Sequence, residues 1–322
     1  MPVSREFRGK DLLQGNPLAI ARAISAVENG APHARNIVRF IQPHLGRAQA
    51  IGVTGPPGSG KSTLVSAMIS DLVGREKRVA VIAVDPTSPT SGGAVLGDRV
   101  RMAVHSRDPN VFIRSLATKG HLGGLTRMTS TVIDVLDAAG MDVVIIETVG
   151  TGQSEIDVAE VADVRLVICP PGLGDEMQAI KAGILEIADI LVVNKADLPG
   201  ADETAQQLKT MLHYSGDGRR RTVMQTSAAT GAGLAELVTA IEDRVEQLAA
   251  GHGPASIGAA IRTRRMLATH AALLIDRYVR NLEGPEIDQI CRDVQSGEAS
   301  VEAAVQEILR VVSHDPRHFH PE

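Results

Sequence analysis

The sequence predicts an α/β fold with a doubly wound, mainly parallel sheet, and two observations lead to this prediction. Short apolar runs rich in Val and Ile alternate with longer helical stretches through the middle of the chain, as expected of strands covered on both faces by connecting helices. Polar and glycine-rich motifs follow these runs directly, at the carboxyl ends where open parallel sheets bind their ligands. The predicted strands lie within residues 51–54, 79–85, 142–148, 165–170, 189–195 and 222–228.

A helical extension is predicted before the first strand, over residues 1–46. Apolar side chains recur with near-helical spacing across residues 18–27, and Asn29 with Gly30 is a typical helix end. A second helical stretch follows at 34–45. We expect this extension to pack on the sheet.

The chain after the last predicted strand has the pattern of a helical arm. A breaker cluster at 251–254 is followed by a long helical candidate at 257–282. Two further helices are predicted within 286–312, separated around Gly297. Such an arm can pack on the core or on another subunit. The predicted organisation is therefore an N-terminal helical extension (1–46), an α/β core domain (47–250) and a C-terminal helical arm suited to dimerisation (251–322).

Composition and charge argue against several classes of protein. Apolar residues make up 43% and charged residues 22% of the 322 residues, as in ordinary soluble domains. The net charge of −5 and the aromatic content of 2% argue against a broad nucleic-acid surface. The two cysteines are far apart, so neither a disulfide framework nor a paired-thiol metal site is expected. No run approaches the roughly 18 apolar residues of a membrane span, and we expect a cytoplasmic protein without membrane contact.

The glycine-rich stretch AIGVTGPPGSGKSTL, residues 50–64, lies between the first predicted strand and a helix. It fits G-x-x-x-x-G-K-[ST], the P-loop signature, in the strand–loop–helix context that the signature requires. Its glycines allow a tight turn whose N–H groups point at phosphate oxygens. Lys61 supplies a positive charge for the β- and γ-phosphates, and the Ser62 hydroxyl can bind Mg²⁺. The predicted phosphate-binding residues are Gly58, Ser59, Gly60, Lys61, Ser62 and Thr63.

A second nucleotide motif, NKAD, follows the apolar run ILVV and matches the N-K-x-D element with which GTPases read guanine. The Asp197 carboxylate can accept from N1–H and the 2-amino group of guanine, donors that adenine does not present there. Asn194 can pair with another polar edge of the base, and the stem of Lys195 can lie against the ring. This pattern favours GTP and GDP over ATP. The predicted base site consists of Asn194, Lys195, Asp197, Ser227 and Ala228.

Carboxylates near the P-loop predict the rest of a Mg²⁺ site. Glu147 ends a predicted strand in ETVG, where small GTPases usually have D-x-x-G, and a glutamate can still bind the metal or one of its waters. Asp85 closes another strand, and Asp98 lies in the segment GDRVRM. A solvated loop acid is the alternative for Asp98. Since Mg²⁺ binds a few carboxylates together with phosphates and water, the predicted ligands are Ser62, Asp85, Asp98 and Glu147.

The residues that follow Glu147 predict slow intrinsic hydrolysis. Thr151 occupies the place where Ras-like proteins carry the glutamine that orients the attacking water. Gln153 lies close by in sequence and is a candidate for that role. The predicted catalytic residues are Lys61, Asp85, Glu147 and Gln153.

Taken in order, the segments GPPGSGKST, VDPTSP, GDRVRM, ETVGTGQSE, CPPGLGDEMQAIKAGILEIADI, NKAD and SAATGAGL resemble those of the MeaB/ArgK GTPases. These are G-protein chaperones of adenosylcobalamin-dependent methylmalonyl-CoA mutase. The resemblance covers most of the chain, including both helical ends. It implies a homodimer joined through the C-terminal arm. It also implies that GTP gates cofactor loading and serves to protect or reactivate the mutase or a related acyl-CoA mutase.

The resemblance also implies residue roles. The phosphate, metal and base residues named above match the corresponding family positions. Gln178 and Lys181 match a segment called switch III, which relays the nucleotide state to the mutase. From the residues alone, the glycine-rich entry to this segment is equally consistent with an ordinary capped helix.

Two alternatives are compatible with the same core. A nickel-insertion GTPase of the hydrogenase or urease type would need thiol or imidazole ligands near its switches. Cys169 is isolated at a strand end, which favours a buried cysteine, and the histidines of the C-terminal tail suit a disordered terminus better than a metal site. The other alternative is a kinase of an amino-acid transport system, for which the sequence offers no phospho-acceptor site.

Overall fold

The structure, a computed structural model, describes residues 9–85, 103–117, 124–148, 161–172, 187–215, 221–250 and 284–314, with Arg264, Leu267, Ala268, Ala271, Ile275 and Val279. Its strands are β1 (Gln49–Thr54), β2 (Val79–Asp85), β3 (Val111–Ala117), β4 (Val143–Thr148), β5 (Val164–Cys169), β6 (Ile190–Val193) and β7 (Thr222–Gln225). All the pairings between them are parallel, and they form one sheet in the order β3-β2-β4-β1-β5-β6-β7. The predicted fold class is confirmed.

Helices connect and flank these strands. Two short 3₁₀ turns are also present, Gln42–His44 before β1 and Ala103–His105 before β3. The described helices are α1 (Gly9–Leu13), α2 (Pro17–Glu28), α3 (Ala34–Ile41), α4 (Lys61–Gly74), α5 (Gly124–Ala138), α6 (Ala201–Ser215), α7 (Leu234–Ala250), α8 (Pro285–Ser296) and α9 (Val301–His314).

Helices cover both faces of the sheet. Side chains alternate between the faces, so each inner strand contributes to two apolar clusters. In β4, Val144 and Ile146 belong to the cluster formed with α2, α3 and α5, whereas Val143 and Ile145 belong to the cluster formed with α4 and α7. Strands β5 and β6 form a third cluster with α6. Because both faces are covered, the apolar runs in the sequence are continuous rather than alternating.

The edge strand β3 is absent from the sequence-based prediction. Arg114 and Ser115 interrupt its apolar run, and its side chains are partly exposed from Val111 to Ser115. The guanidinium of Arg114 donates to Oε2 of Glu28 at 2.7 Å and to the hydroxyl of Ser25 at 3.0 Å. A charge inside a strand is stable here because α2 supplies its partner, and the local sequence does not contain that information.

Helix α2 ends where the sequence predicts, and a capping asparagine marks its start. The side-chain oxygen of Asn16 accepts from the N–H groups of Leu18 and Ala19 at 3.0 and 3.2 Å, and Pro17 takes the first helical position. Asn29 follows the last turn. The buried face of α2 joins the apolar cluster of the sheet, so the N-terminal extension packs on the core as expected.

One buried carboxylate anchors the entry to β1. Asp137 in α5 accepts hydrogen bonds from the N–H groups of Gly46, Arg47 and Ala48, at 2.7, 3.0 and 3.0 Å. Three charge-assisted bonds to consecutive backbone groups place the start of the central strand relative to α5.

Residues 1–265 and 266–322 form two compact units. In the second unit, Gly297 follows α8 with a φ of +79°, a left-handed conformation that favours glycine. This confirms the predicted break between the last two helices. The division at 46/47 and 250/251 stays a prediction, and all described strands lie within its middle range.

Helix α9 exposes a row of apolar side chains. Val301, Val305 and Leu309 follow one another at intervals of one helical turn and are 62%, 48% and 40% exposed.

None of the described helices combines the length and apolar character needed to cross a membrane.

Candidate nucleotide-binding site

The P-loop connects β1 to α4 at the carboxyl edge of the sheet. Gly60 caps α4 with a φ of +88°, and a Cβ there would overlap the side-chain amide of Asn194. Gly55, at a φ of +145°, passes so close to the carbonyl of Ile168 that a Cβ would overlap it as well. Both glycines of the signature are therefore required by the backbone conformation and by close approach.

The Lys61 side chain folds over the P-loop and is 8% exposed. Its Nζ donates to the carbonyl of Gly55 at 2.8 Å and to that of Pro56 at 3.1 Å. The loop carbonyls thus face a positive charge, and the loop leads into the N-terminus of α4, the end of a helix that favours anions. Ser59 is fully buried, and its hydroxyl has no hydrogen-bond partner among the described residues. Thr63, another of the predicted phosphate-binding residues, is exposed.

Ser62 and Glu147 meet beside the loop. The Ser62 hydroxyl donates to Oε1 of Glu147 at 2.6 Å, and the two residues are 7% and 1% exposed. Glu147 lies opposite Val53 in the ladder between β1 and β4, so the register of the sheet brings it to the first turn of α4. The structure therefore unites two of the four predicted Mg²⁺ ligands, and both offer the hard oxygen atoms that this ion prefers.

The other predicted metal ligands are only partly within the described residues. The backbone of Asp85 ends β2 opposite Ala117, but its side chain lies outside the described part of the chain. The predictions for Asp98, Gln153, Gln178 and Lys181 also fall on residues outside the described ranges.

The base-reading motif is hydrogen-bonded directly to the P-loop. The amide nitrogen of Asn194 donates to the carbonyls of Ser59 and Gly60, at 3.0 and 3.4 Å. Lys195, whose φ is +58°, donates from Nζ to the carbonyl of Gly58 at 2.8 Å. Two side chains from the end of β6 thus hold three successive carbonyls of the loop after β1.

Asn194 has a positional role that its sequence motif does not reveal. It is 1% exposed, and its side-chain oxygen accepts from the N–H of Ala228 at 3.2 Å and from the hydroxyl of Thr226 at 3.4 Å. Both N–H bonds of this amide are used in the contacts to Ser59 and Gly60. A base could therefore accept a hydrogen bond from it only if the longer one, to Gly60, were given up. Sequence reasoning did not identify Thr226, because a threonine at a strand end carries no distinctive signal.

Asp197 is oriented by a neighbouring strand end and remains exposed. Its carboxylate accepts a short hydrogen bond from the hydroxyl of Ser227, which is buried. The same hydroxyl accepts from the N–H of Thr230 at 3.3 Å, and the Ser227 N–H donates to Ala232 at 2.9 Å. An oriented, accessible carboxylate is what recognition of a purine edge requires.

Cys169 lies at the end of β5, in the apolar cluster formed with α6. It is 0% exposed, and burial raises the pKa of its thiol to about 12. A thiol that stays protonated is a poor metal ligand. The expectation of a buried cysteine is therefore confirmed.

Comparison with known proteins agrees with these features. The family model described as methylmalonyl Co-A mutase-associated GTPase MeaB matches residues 20–282. A relative from Pyrococcus abyssi, provisionally named a GTPase, is 50% identical over 240 residues, which cover 73% of this chain and 74% of the relative. The mitochondrial methylmalonic aciduria type A homolog of Mus musculus is 36% identical over 268 residues, covering 77% and 64%.

A solved structure matches almost the whole chain. The crystal structure of a LAO/AO transport system kinase aligns with a TM-score of 0.68 and 26% identity, over 95% of this chain and 96% of that one. The parallel sheet, the P-loop and the base-reading motif are thus found together with a family match across most of the sequence. The chain belongs to the family of methylmalonyl-CoA mutase-associated GTPases, MeaB.

Proposed function

We propose that this protein, a GTPase by its family and fold, uses GTP binding and hydrolysis to gate cobalamin loading of a mutase and to protect or reactivate that enzyme. The observation that carries the nucleotide assignment is the bonding of Asn194 and Lys195 to the P-loop carbonyls. Base and phosphates would then bind to one connected framework. A nucleotide whose base is bound at this site already has its phosphates close to the loop, so binding them there loses little further entropy.

In the phosphate site, Lys61 is the group that has to move. Its ammonium hydrogen-bonds to Gly55 and Pro56, and a triphosphate would draw it to the β- and γ-phosphate oxygens. The N–H groups at the start of α4 would bind the same oxygens. This arrangement stabilises the charge that develops on the transferred phosphoryl group.

A Mg²⁺ ion fits the donors beside this site. Ser62 and Glu147 would hold it or its waters, together with Asp85 and Asp98 as further candidates. The ion supplies charge neutralisation between the phosphates when bound. Gln153 is the proposed water-orienting residue, and intrinsic hydrolysis is proposed to be slow.

Calorimetry with GTP, GDP and ATP tests the nucleotide assignment. We expect binding of both guanine nucleotides, weak or undetectable binding of ATP, and loss of hydrolysis in Lys61→Ala because its charge leaves the phosphate site. Lys209→Ala removes an exposed lysine from α6 and is the matched control. Equal affinity for ATP would refute the base assignment, and wild-type turnover in Lys61→Ala would refute the phosphate assignment.

The proposed partner is methylmalonyl-CoA mutase or a related adenosylcobalamin-dependent acyl-CoA mutase. Support comes from the family description and from the name of the mouse relative. Pull-downs from native extract, with and without a non-hydrolysable GTP analogue, test it. With purified mutase, Lys181→Ala should keep basal hydrolysis and lose its stimulation. Unchanged stimulation would remove the proposed relay through this residue.

The proposed assembly is a cytoplasmic homodimer joined through the C-terminal arm. The exposed row of Val301, Val305 and Leu309 on α9 supports it, because an apolar helix face of this kind is stabilised by a partner. Light scattering should show a dimer, and Val305→Asp should shift it towards monomer. The exposed Gln306→Asp variant adds the same charge off this row and is the control.

Two alternative functions have less support. Nickel insertion would need an accessible soft ligand, and Cys169 is buried with a raised pKa. A nickel titration showing tight stoichiometric binding would favour that alternative. A transport-system kinase, the name of the matched crystal structure, would place labelled γ-phosphate on protein instead of releasing it as free phosphate.

A further inference from the structure

Strands β1 and β4 are joined by a side-chain hydrogen bond where their backbone pairing stops. The ladder between them runs from Gln49 opposite Val143 to Val53 opposite Glu147. One residue further along, the hydroxyl of Thr148 donates to the hydroxyl of Thr54 at 3.2 Å and lies 3.5 Å from the carbonyl of Val53. The two side chains extend the pairing by one residue.

Both threonines are inside the protein. Thr54 is 4% exposed and Thr148 is 0% exposed. A valine has nearly the same shape and carries no hydroxyl that needs a partner, so packing alone does not require threonine at either position. The pair therefore contributes a directional contact between two strand ends rather than bulk.

Each threonine adjoins a part of the nucleotide site. Thr54 immediately precedes Gly55, the first residue of the P-loop signature, which passes against the carbonyl of Ile168. Thr148 immediately follows Glu147. Because successive side chains of a strand point to opposite faces, Glu147 bonds to Ser62 on one face while Thr148 bonds to Thr54 on the other. The end of β4 is thus held from both sides.

We infer that Thr54 and Thr148 are a positioning pair that sets the distance between the P-loop and the Glu147 carboxylate. Their proposed effect on the nucleotide site passes through the P-loop and through Glu147. The inference depends on the proposed function, since it concerns how strongly Mg²⁺ supports GTP binding and hydrolysis. If the hydroxyl contact is lost, the end of β4 is free to shift against β1, and Glu147 leaves its optimal place beside Ser62.

The test compares Thr148→Val, Thr148→Ser and the double variant Thr54→Val/Thr148→Val with the wild type. Thr129→Val is the matched control, because Thr129 is a buried threonine of α5 whose hydroxyl has no partner among the described residues. Three quantities are measured: GDP affinity in EDTA, the Mg²⁺ concentration that half-saturates GTP hydrolysis, and the Mg²⁺-induced shift of the thermal unfolding midpoint with GDP bound.

We expect Thr148→Val to bind GDP in EDTA with the affinity of the wild type. The Mg²⁺ concentration that half-saturates its GTP hydrolysis should rise by about tenfold or more, as is found when a group that orients a metal ligand is removed. Its Mg²⁺-induced thermal shift should shrink. Thr148→Ser keeps the hydroxyl and should restore both values, and Thr129→Val should leave both unchanged. The double variant removes both hydroxyls together, so it should fold well and still need the higher Mg²⁺ concentration.

A normal Mg²⁺ requirement in Thr148→Val or in the double variant would overturn the inference. A Thr148→Ser variant as impaired as Thr148→Val would also overturn it, because the hydroxyl would then be irrelevant. Should Thr148→Val fail to fold, the double variant decides the question. A wild-type protein that ignores GDP and GTP would instead defeat the proposed function, which is a separate outcome.

Discussion

The hydroxyl of Ser62 donates to Oε1 of Glu147 at 2.6 Å, and this contact links the first turn of α4 to the end of β4. The residues are 85 positions apart in sequence. Sheet register brings them together, since Glu147 lies between Val53 of β1 and Ala83 of β2 in the ladders. The carboxylate of Glu147 therefore reaches the first turn of α4 from the end of β4. Small GTPases usually have the shorter aspartate at this position of the motif.

Glu147→Gln tests the metal role of this carboxylate. The variant keeps the shape and a hydrogen-bonding oxygen but removes the charge that favours a divalent cation. We expect GDP affinity in EDTA to stay near wild type, and the Mg²⁺ requirement of hydrolysis to rise by about tenfold or more. The exposed Glu236→Gln in α7 is the control. An unaltered Mg²⁺ requirement would show that Glu147 does not serve the metal.

Asp197→Asn tests base recognition. The Ser227 hydroxyl holds this side chain, so an asparagine can occupy the same place. It would present an N–H to the edge of the base where guanine also has donors, and GDP affinity should fall by about a hundredfold or more. Xanthosine diphosphate carries an oxygen in place of the 2-amino group, so the Asp197→Asn variant should bind it more tightly than GDP. The exposed Asp243→Asn is the control, and retained preference for GDP would contradict the assignment.

Asp189 predicts a pH-dependent contribution to stability. Burial opposes its ionisation, but Arg165 and Arg244, at 2.8 and 3.0 Å, outweigh this and lower the pKa of the carboxyl. A lowered folded-state pKa means that the stabilisation is present above the unfolded value and is lost as pH falls towards the folded value.

We therefore expect Asp189→Asn to lower the free energy of unfolding by about 2 to 3 kcal/mol at neutral pH. Urea titrations should show a constant difference from wild type above about pH 5 and a shrinking difference below about pH 4. The exposed Asp243→Asn again serves as control. A difference that does not change with pH would mean that the charge of Asp189 is not what stabilises the fold.

The two cysteines should differ in reactivity. Cys169 is buried with a pKa raised to about 12, whereas Cys291 is exposed. Since the thiolate is the reactive form, a thiol reagent should modify one cysteine quickly in the native protein and both after denaturation. Cys291→Ser should abolish the fast phase. Fast labelling in that variant would place Cys169 within reach of solvent and reopen the nickel alternative.

Local sequence patterns determined much of this protein. The strand runs, the P-loop, the NKAD motif, the end of α2 and the break at Gly297 all depend on residues adjacent in the chain. Glycine conformation, helix capping and apolar periodicity act over a few positions, and for this reason they can be recognised without a fold. The family resemblance depends on the same contiguous motifs.

Tertiary structure alone decided how these motifs are joined. Arg114 stabilises the edge strand β3 only because α2 lies beside it, and Asn194 reaches the P-loop from 135 positions away. The contacts of Ser62 with Glu147 and of Thr54 with Thr148 depend on the register of parallel strands that are neighbours in space but not in sequence. Spacing along the chain carries no measure of that register, because packing of the whole sheet sets it.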